Sequence, residues 1–104
     1  MGFDQYHEPA QELPAATRTF ARLCASLTEE AEAIGWYEQR LAVETDRDAL
    51  AIMRDAQGEE FKHFSMDLEA LLRRTPDWRK IAEAARRSRA LLAGERRAHL
   101  RLAA

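Results

Sequence analysis

From Phe20 onward the apolar positions recur at helical spacing. Phe20, Leu23, Leu27, Glu30, Ile34, Tyr37 and Leu41 follow one another at alternating steps of three and four residues, and all but Glu30 are apolar or aromatic. Residues 14–44 hold no proline after Pro14 and one glycine, Gly35, so this spacing predicts one long helix with Pro14 in its first turn. A second stripe, Met53, Ala56, Glu60 and His63, continued by Phe64, Leu68 and Leu71, predicts a helix over about 47–74. Thr45-Asp46 supplies turn and N-cap chemistry between the two. Thr75-Pro76 ends the second, because a proline disfavours helix at the residue before it. Residues 77–102 read as a third, Arg-rich helix with Gly94 as a break point. The chain thus divides into an irregular segment 1–13, a helical hairpin 14–74 and a basic C-terminal helix 75–104.

Composition agrees with the periodicity. Of 104 residues, 46% are hydrophobic and 33% charged, with 4 Gly, 3 Pro and a single Val. So few β-branched and turn residues exclude a sandwich or barrel, and so much apolar material excludes a disordered chain. Ala, Leu, Glu and Arg dominate, all strong helix formers, and the expected class is all-α. Two stripes joined by a short loop predict a long antiparallel two-helix hairpin with an additional C-terminal helix.

The register of that hairpin carries the chemistry. Glu30 lies 15 residues before Thr45 and Glu60 lies 15 after it. At ~1.5 Å per residue both reach the same height, roughly 22 Å from the turn. His63 stands one turn beyond Glu60 on the same face. Two carboxylates and an imidazole therefore converge inside an apolar seam, where burial is costly unless a cation compensates it. An isolated E-x-x-H occurs by chance in many helices; seam position, Glu30 and equal height together give it weight. Di-iron bundles use one Glu from each of two helices and one Glu-x-x-His from each of the other two. This chain supplies half of that set, and two copies related by a two-fold axis would supply the whole in a four-helix bundle. Carboxylates with imidazole suit iron, and Zn, Mn or Ca are ions able to take the same place.

Charge is distributed unevenly. Residues 1–72 carry 6 Lys+Arg against 15 Asp+Glu, a net of −9, and residues 73–104 carry 10 against 3, a net of +7. The acids include Glu29, Glu30, Glu32, Glu59 and Glu60, all near one level of the hairpin. The basic end motivates a second reading: a non-catalytic metal-binding or helical interaction module whose C-terminal helix docks on an acidic partner. Nucleic acid is not expected, since the acidic body repels phosphate and no reader motif is present. The first residues lack a basic region followed by an apolar run, and no stretch approaches the ~18 apolar residues of a membrane span. A cytoplasmic protein without a membrane partner is expected.

Two longer motifs resemble a known family. Glu29-Glu30-Ala31-Glu32-Ala33-Ile34-Gly35-Trp36-Tyr37-Glu38-Gln39-Arg40 is similar to the first-helix motif of the encapsulated ferritins. The stretch from Glu59-Glu60-Phe61-Lys62-His63 through Met66-Asp67-Leu68-Glu69 to Arg73-Arg74 resembles their second-helix motif, and His7-Glu8-Pro9 a short element before it. The resemblance covers about residues 7–80. It implies a half-ferritin that acts as a ferroxidase, oxidising Fe(II) at a di-iron centre shared by a homodimer. Glu30, Glu60 and His63 match the family's metal ligands, and Tyr37 a tyrosine near the iron with Trp36 beside it. Glu29 and Glu32 match an outer pair that attracts metal on its way in. It further implies a ring of dimers, often a decamer, with the mineral stored in an encapsulin nanocompartment. Residues 90–104 depart from the apolar, Gly-containing tail of shell cargo and read instead as an amphipathic basic helix.

The remaining residues have plainer expectations. Cys24 is a buried free thiol, Met53 and Met66 are core fillers, and His7 and His99 are exposed. Trp36, one step off the seam, is expected at a subunit contact, the alternative being that it covers the core. Gly35 and Gly58 interrupt helices near the metal level, which suits close approach of a partner helix.

Overall fold

The computed structural model describes residues 6–88. A three-residue 3-10 turn, Ala10–Glu12, precedes helices α1 (Ala15–Val43), α2 (Arg47–Arg74) and α3 (Pro76–Arg87), and no strand occurs among the described residues. The fold is all-α, as the periodicity predicts. Two compact units divide between Leu71 and Leu72.

In the first unit, α1 begins one residue later than expected. Pro14 occupies the N-cap position with extended backbone (ψ 151°), so it stands ahead of the first turn rather than in it. Arg18 ties the preceding segment down, donating to the carbonyls of Ala10 (3.0 Å) and Leu13 (2.8 Å). At ~1.5 Å per residue the 29 residues of α1 span about 43 Å.

The turn is built from carboxylates. Glu44 ends α1 in extended conformation, and its Oε2 accepts the N–H groups of Thr45 (3.1 Å) and Asp46 (3.0 Å). Asp46 then caps α2, its Oδ2 accepting the Ala49 N–H at 2.9 Å. These bonds satisfy donors that a helix start leaves orphaned, and the negative charge suits the helix N-terminus. Gln57 fastens α2 to α1: its amide donates to the Ile34 carbonyl (3.2 Å) and to Glu38 (3.0 Å). Gln57 is buried despite its polarity, which these two bonds make tolerable.

The seams are where the spacing places them, yet they are covered only in part. Phe20, Leu23, Leu27, Glu30, Ile34, Tyr37 and Leu41 are all half-buried, as are Met53, Ala56, Glu60, Phe64 and Leu68. Leu71 alone among the described residues is fully enclosed. Two helices shield each other along one line only, so a hairpin leaves the other side of each stripe open. Trp36, Val43, Ile52, Phe61 and Met66 remain more than half exposed. Met66 is therefore not a core filler, and Cys24 is half-buried rather than buried, its thiol pKa raised by that burial.

In the second unit, Thr75 precedes α3 and Pro76 opens it, where a proline's missing N–H costs nothing. Asp77 in the first turn and Arg86 and Arg87 in the last complement the helix dipole. Glu83 pairs with Arg79 (3.9 Å) and Arg87 (3.8 Å) along the helix. The helix ends at Arg87, with Ser88 outside helical geometry, well short of the expected 102. Gly94, His99 and the remainder of the expected basic helix lie outside the described residues.

Candidate metal centre

Midway along the hairpin, α1 and α2 bring four polar side chains to one seam. Glu30 comes from α1; Glu60, His63 and Asp67 come from successive turns of α2. Glu60 and His63 meet directly, Nδ1 of the imidazole lying 3.0 Å from Glu60 Oε1. With the proton on Nδ1, Nε2 keeps its lone pair, the form in which histidine binds a metal. Glu60 is the sheltered member, its side chain 25% exposed against 48% for His63 and 53% for Glu59. Glu59 faces outward, pairing with Lys62 at 3.3 Å and lying 3.9 Å from His63 Nε2.

The Glu30 carboxyl is strongly perturbed. Its carboxyl is pushed from the ordinary 4.5 up to about 7. Desolvation is the largest cause, followed by a hydrogen bond with Asp67, the charge of Asp67 and the charge of Glu60, with His63 opposing them. Glu30 Oε2 and Asp67 Oδ2 are both shielded from solvent and find no hydrogen-bond donor. Acceptors shielded in this way cost free energy until a proton or a cation meets them.

Of the expected trio, Glu60 and His63 are in contact and both act electrostatically on Glu30. Among the described residues, however, no three His, Cys, Asp or Glu side chains are gathered closely enough to hold a metal ion within one chain. Glu29 and Glu32 are exposed on α1, outside the seam. Tyr37 is half-buried, its ring beneath Arg40 at 5.3 Å, a cation–π arrangement. It sits seven residues from Glu30, about 10 Å along the helix, and so does not share Glu30's level within one chain. Gly35 and Gly58 have open space where a side chain would stand, so no close approach within the chain itself requires them.

Equal height does not reveal Asp67. Matching residues by height pairs Glu30 with Glu60, but helical side chains lean toward their own N-terminus. Glu30 therefore leans away from the turn while Asp67 leans toward it, and their carboxyls meet although the Cα positions are staggered. The sequence carries the signal: Met53, Ala56, Glu60, His63 and Asp67 keep strict alternating steps of three and four. Continuing the stripe through Phe64 instead moved it to the neighbouring track.

Residues 5–86 match the model of the EncFtn-like family. The chain belongs to the EncFtn-like family. Within it, the chain is 44% identical over 75 residues to a ferritin-like protein of Thermotoga maritima, covering 72% of this chain and 66% of the relative. It is 39% identical over 72 residues to an encapsulated ferritin-like protein of Rhodospirillum rubrum, covering 69% of this chain and 51% of the relative. The match thus spans less than two thirds of either relative's own length. A crystal structure of protein ne0167 from Nitrosomonas europaea superposes with a TM-score of 0.73 at 39% identity, covering 77% of this chain and 88% of that one. The EncFtn-like match takes in the whole candidate centre, both hairpin helices and nearly all of α3. No helix among the described residues is long and apolar enough to cross a membrane.

Proposed function

We propose that this EncFtn-like chain is a ferroxidase that completes its site by pairing with a second copy, with Fe(II) as substrate. The observation that carries the reading is the shielded, donorless Oε2 of Glu30 facing the Glu60–His63 pair. A carboxylate in that position fits a divalent cation, and carboxylate plus imidazole suits iron. One chain holds half a di-iron ligand set, and the half-exposed seams give a second copy apolar surface to cover.

In this reading Glu30, Glu60 and His63 of both copies hold two ferrous ions. Two irons held together can give dioxygen two electrons at once, avoiding a one-electron radical step. Anionic ligands stabilise the added positive charge of the ferric product. Glu29 and Glu32, exposed next to the seam, draw cations toward it. Tyr37, distant from Glu30 in its own chain, serves the site only across the pair. Assembly beyond the dimer, storage of oxidised iron and an encapsulin shell are extended from the resemblance and from the name of the Rhodospirillum relative.

Mixing the metal-free protein with Fe(II) in air and following near-UV absorbance tests this. Glu30→Ala and His63→Ala should oxidise iron no faster than buffer. If both variants match wild type, the site is misassigned. If wild type binds metal at these residues without oxidising iron, a redox-inert ion site takes its place. Sedimentation with and without Fe(II) should show metal-dependent association.

A further inference from the structure

This inference rests on the preceding reading of the centre and extends its ligand set. We propose that Asp67 binds the same cation as Glu30, so that each chain brings three carboxylates and one imidazole to the pair. Asp67 keeps the alternating three-and-four track of Glu60 and His63, so all three side chains project from one face of α2. Asp67 acts on the Glu30 carboxyl across the hairpin. One oxygen of each carboxyl, Asp67 Oδ2 and Glu30 Oε2, is shielded and has no hydrogen-bond partner among the described residues. The charges acting on Glu30 are those of Asp67, Glu60 and His63, with no lysine or arginine among them. Two half-buried carboxylates, each with one shielded and unpartnered oxygen, are an arrangement a cation relieves.

The added carboxylate changes the charge balance of the site. Glu30, Glu60 and Asp67 give six anionic ligands to a pair of chains, equal to the charge of two ferric ions. Without Asp67 the four remaining carboxylates balance two ferrous ions. Asp67 therefore favours the trivalent product over the divalent substrate. Hard carboxylate oxygen suits the higher charge.

The test uses the full chain and two redox-inert probes, Mn(II) followed by electron paramagnetic resonance and Tb(III) followed by luminescence. Asp67→Asn introduces an N–H that can donate to Glu30, so a purely supporting role survives the substitution. As a ligand, Asp67 is lost: Tb(III) affinity should fall at least about tenfold, since altering even an outer partner of a metal ligand costs 10–100-fold. Mn(II) affinity should fall less. Luminescence lifetimes in H₂O and D₂O should report an additional bound water. Asp67→Ser serves the same test if the Asn variant lacks wild-type helical circular dichroism. If Asp67→Asn matches wild type in affinity and bound water while Glu30→Gln abolishes binding, Asp67 is not a ligand and the centre stands. If neither Glu30→Gln nor His63→Ala weakens either ion, the centre itself is misplaced and Asp67 with it.

Discussion

Glu30 should be about half protonated at neutral pH, and metal should expel that proton. Its carboxyl is raised to about 7 by desolvation first, then by Asp67 and Glu60. A group titrating there is about nine-tenths protonated at pH 6 and about one-tenth at pH 8. A carboxyl must ionise to bind a cation, so affinity through Glu30 should rise roughly tenfold from pH 6 to pH 8. Near pH 7, about half a proton per chain should be released on Mn(II) binding, measured by calorimetry in buffers of different ionisation enthalpy. Because His63 faces the same site, the group is identified directly by carboxyl carbon NMR of Glu-labelled protein, with Glu30→Gln locating the resonance. The sign for stability is opposite in the metal-free chain. A carboxyl raised in the folded state favours folding below its ordinary 4.5, and this contribution is lost as pH rises toward 7. A Glu30 resonance titrating near 4.5, with no buffer-dependent heat, would refute the burial and like-charge argument.

Three further outcomes follow from the packing. Asp46→Ala removes the cap on α2 and should cost ~1 kcal/mol, read as a lower urea midpoint with an unchanged slope. Gln57→Leu keeps the bulk but strips two hydrogen bonds between α1 and α2 and strands the Ile34 and Glu38 acceptors; a loss of ~1–3 kcal/mol is expected in the same assay. Arg18→Ala frees the carbonyls of Ala10 and Leu13, so limited proteolysis should cut within residues 6–13 faster, while cuts within α1 and α2 keep their wild-type rate.

The helical periodicity alone placed both long helices to within a residue or so, because each stripe is continuous and its ends carry strong signals at Pro14, Asp46 and Thr75-Pro76. Glu60 and His63 act electrostatically on Glu30 for the same reason: a short turn leaves little freedom in the register of an antiparallel pair. The third helix departs from the expected continuous run at Ser88, which lies outside helical geometry. Its charge pattern continues past Ser88, and the stop there has no proline or glycine to mark it.

Exposure was harder to foresee than position. Met66 and Cys24 look apolar enough for a core, but a hairpin has only one inner line, and Met66 lies off it. Gln57 looked like an ordinary polar helix residue, yet it is the buried fastener between the helices. Asp67 is the clearest case. Spacing along the chain determined that the seam would carry acids and a histidine at one level. Which carboxyls meet depended on the lean of each side chain toward its own helix's N-terminus, a direction that height counting ignores. Only the packed hairpin decided that Asp67 acts on Glu30, and that one shielded oxygen of each finds no donor among the described residues.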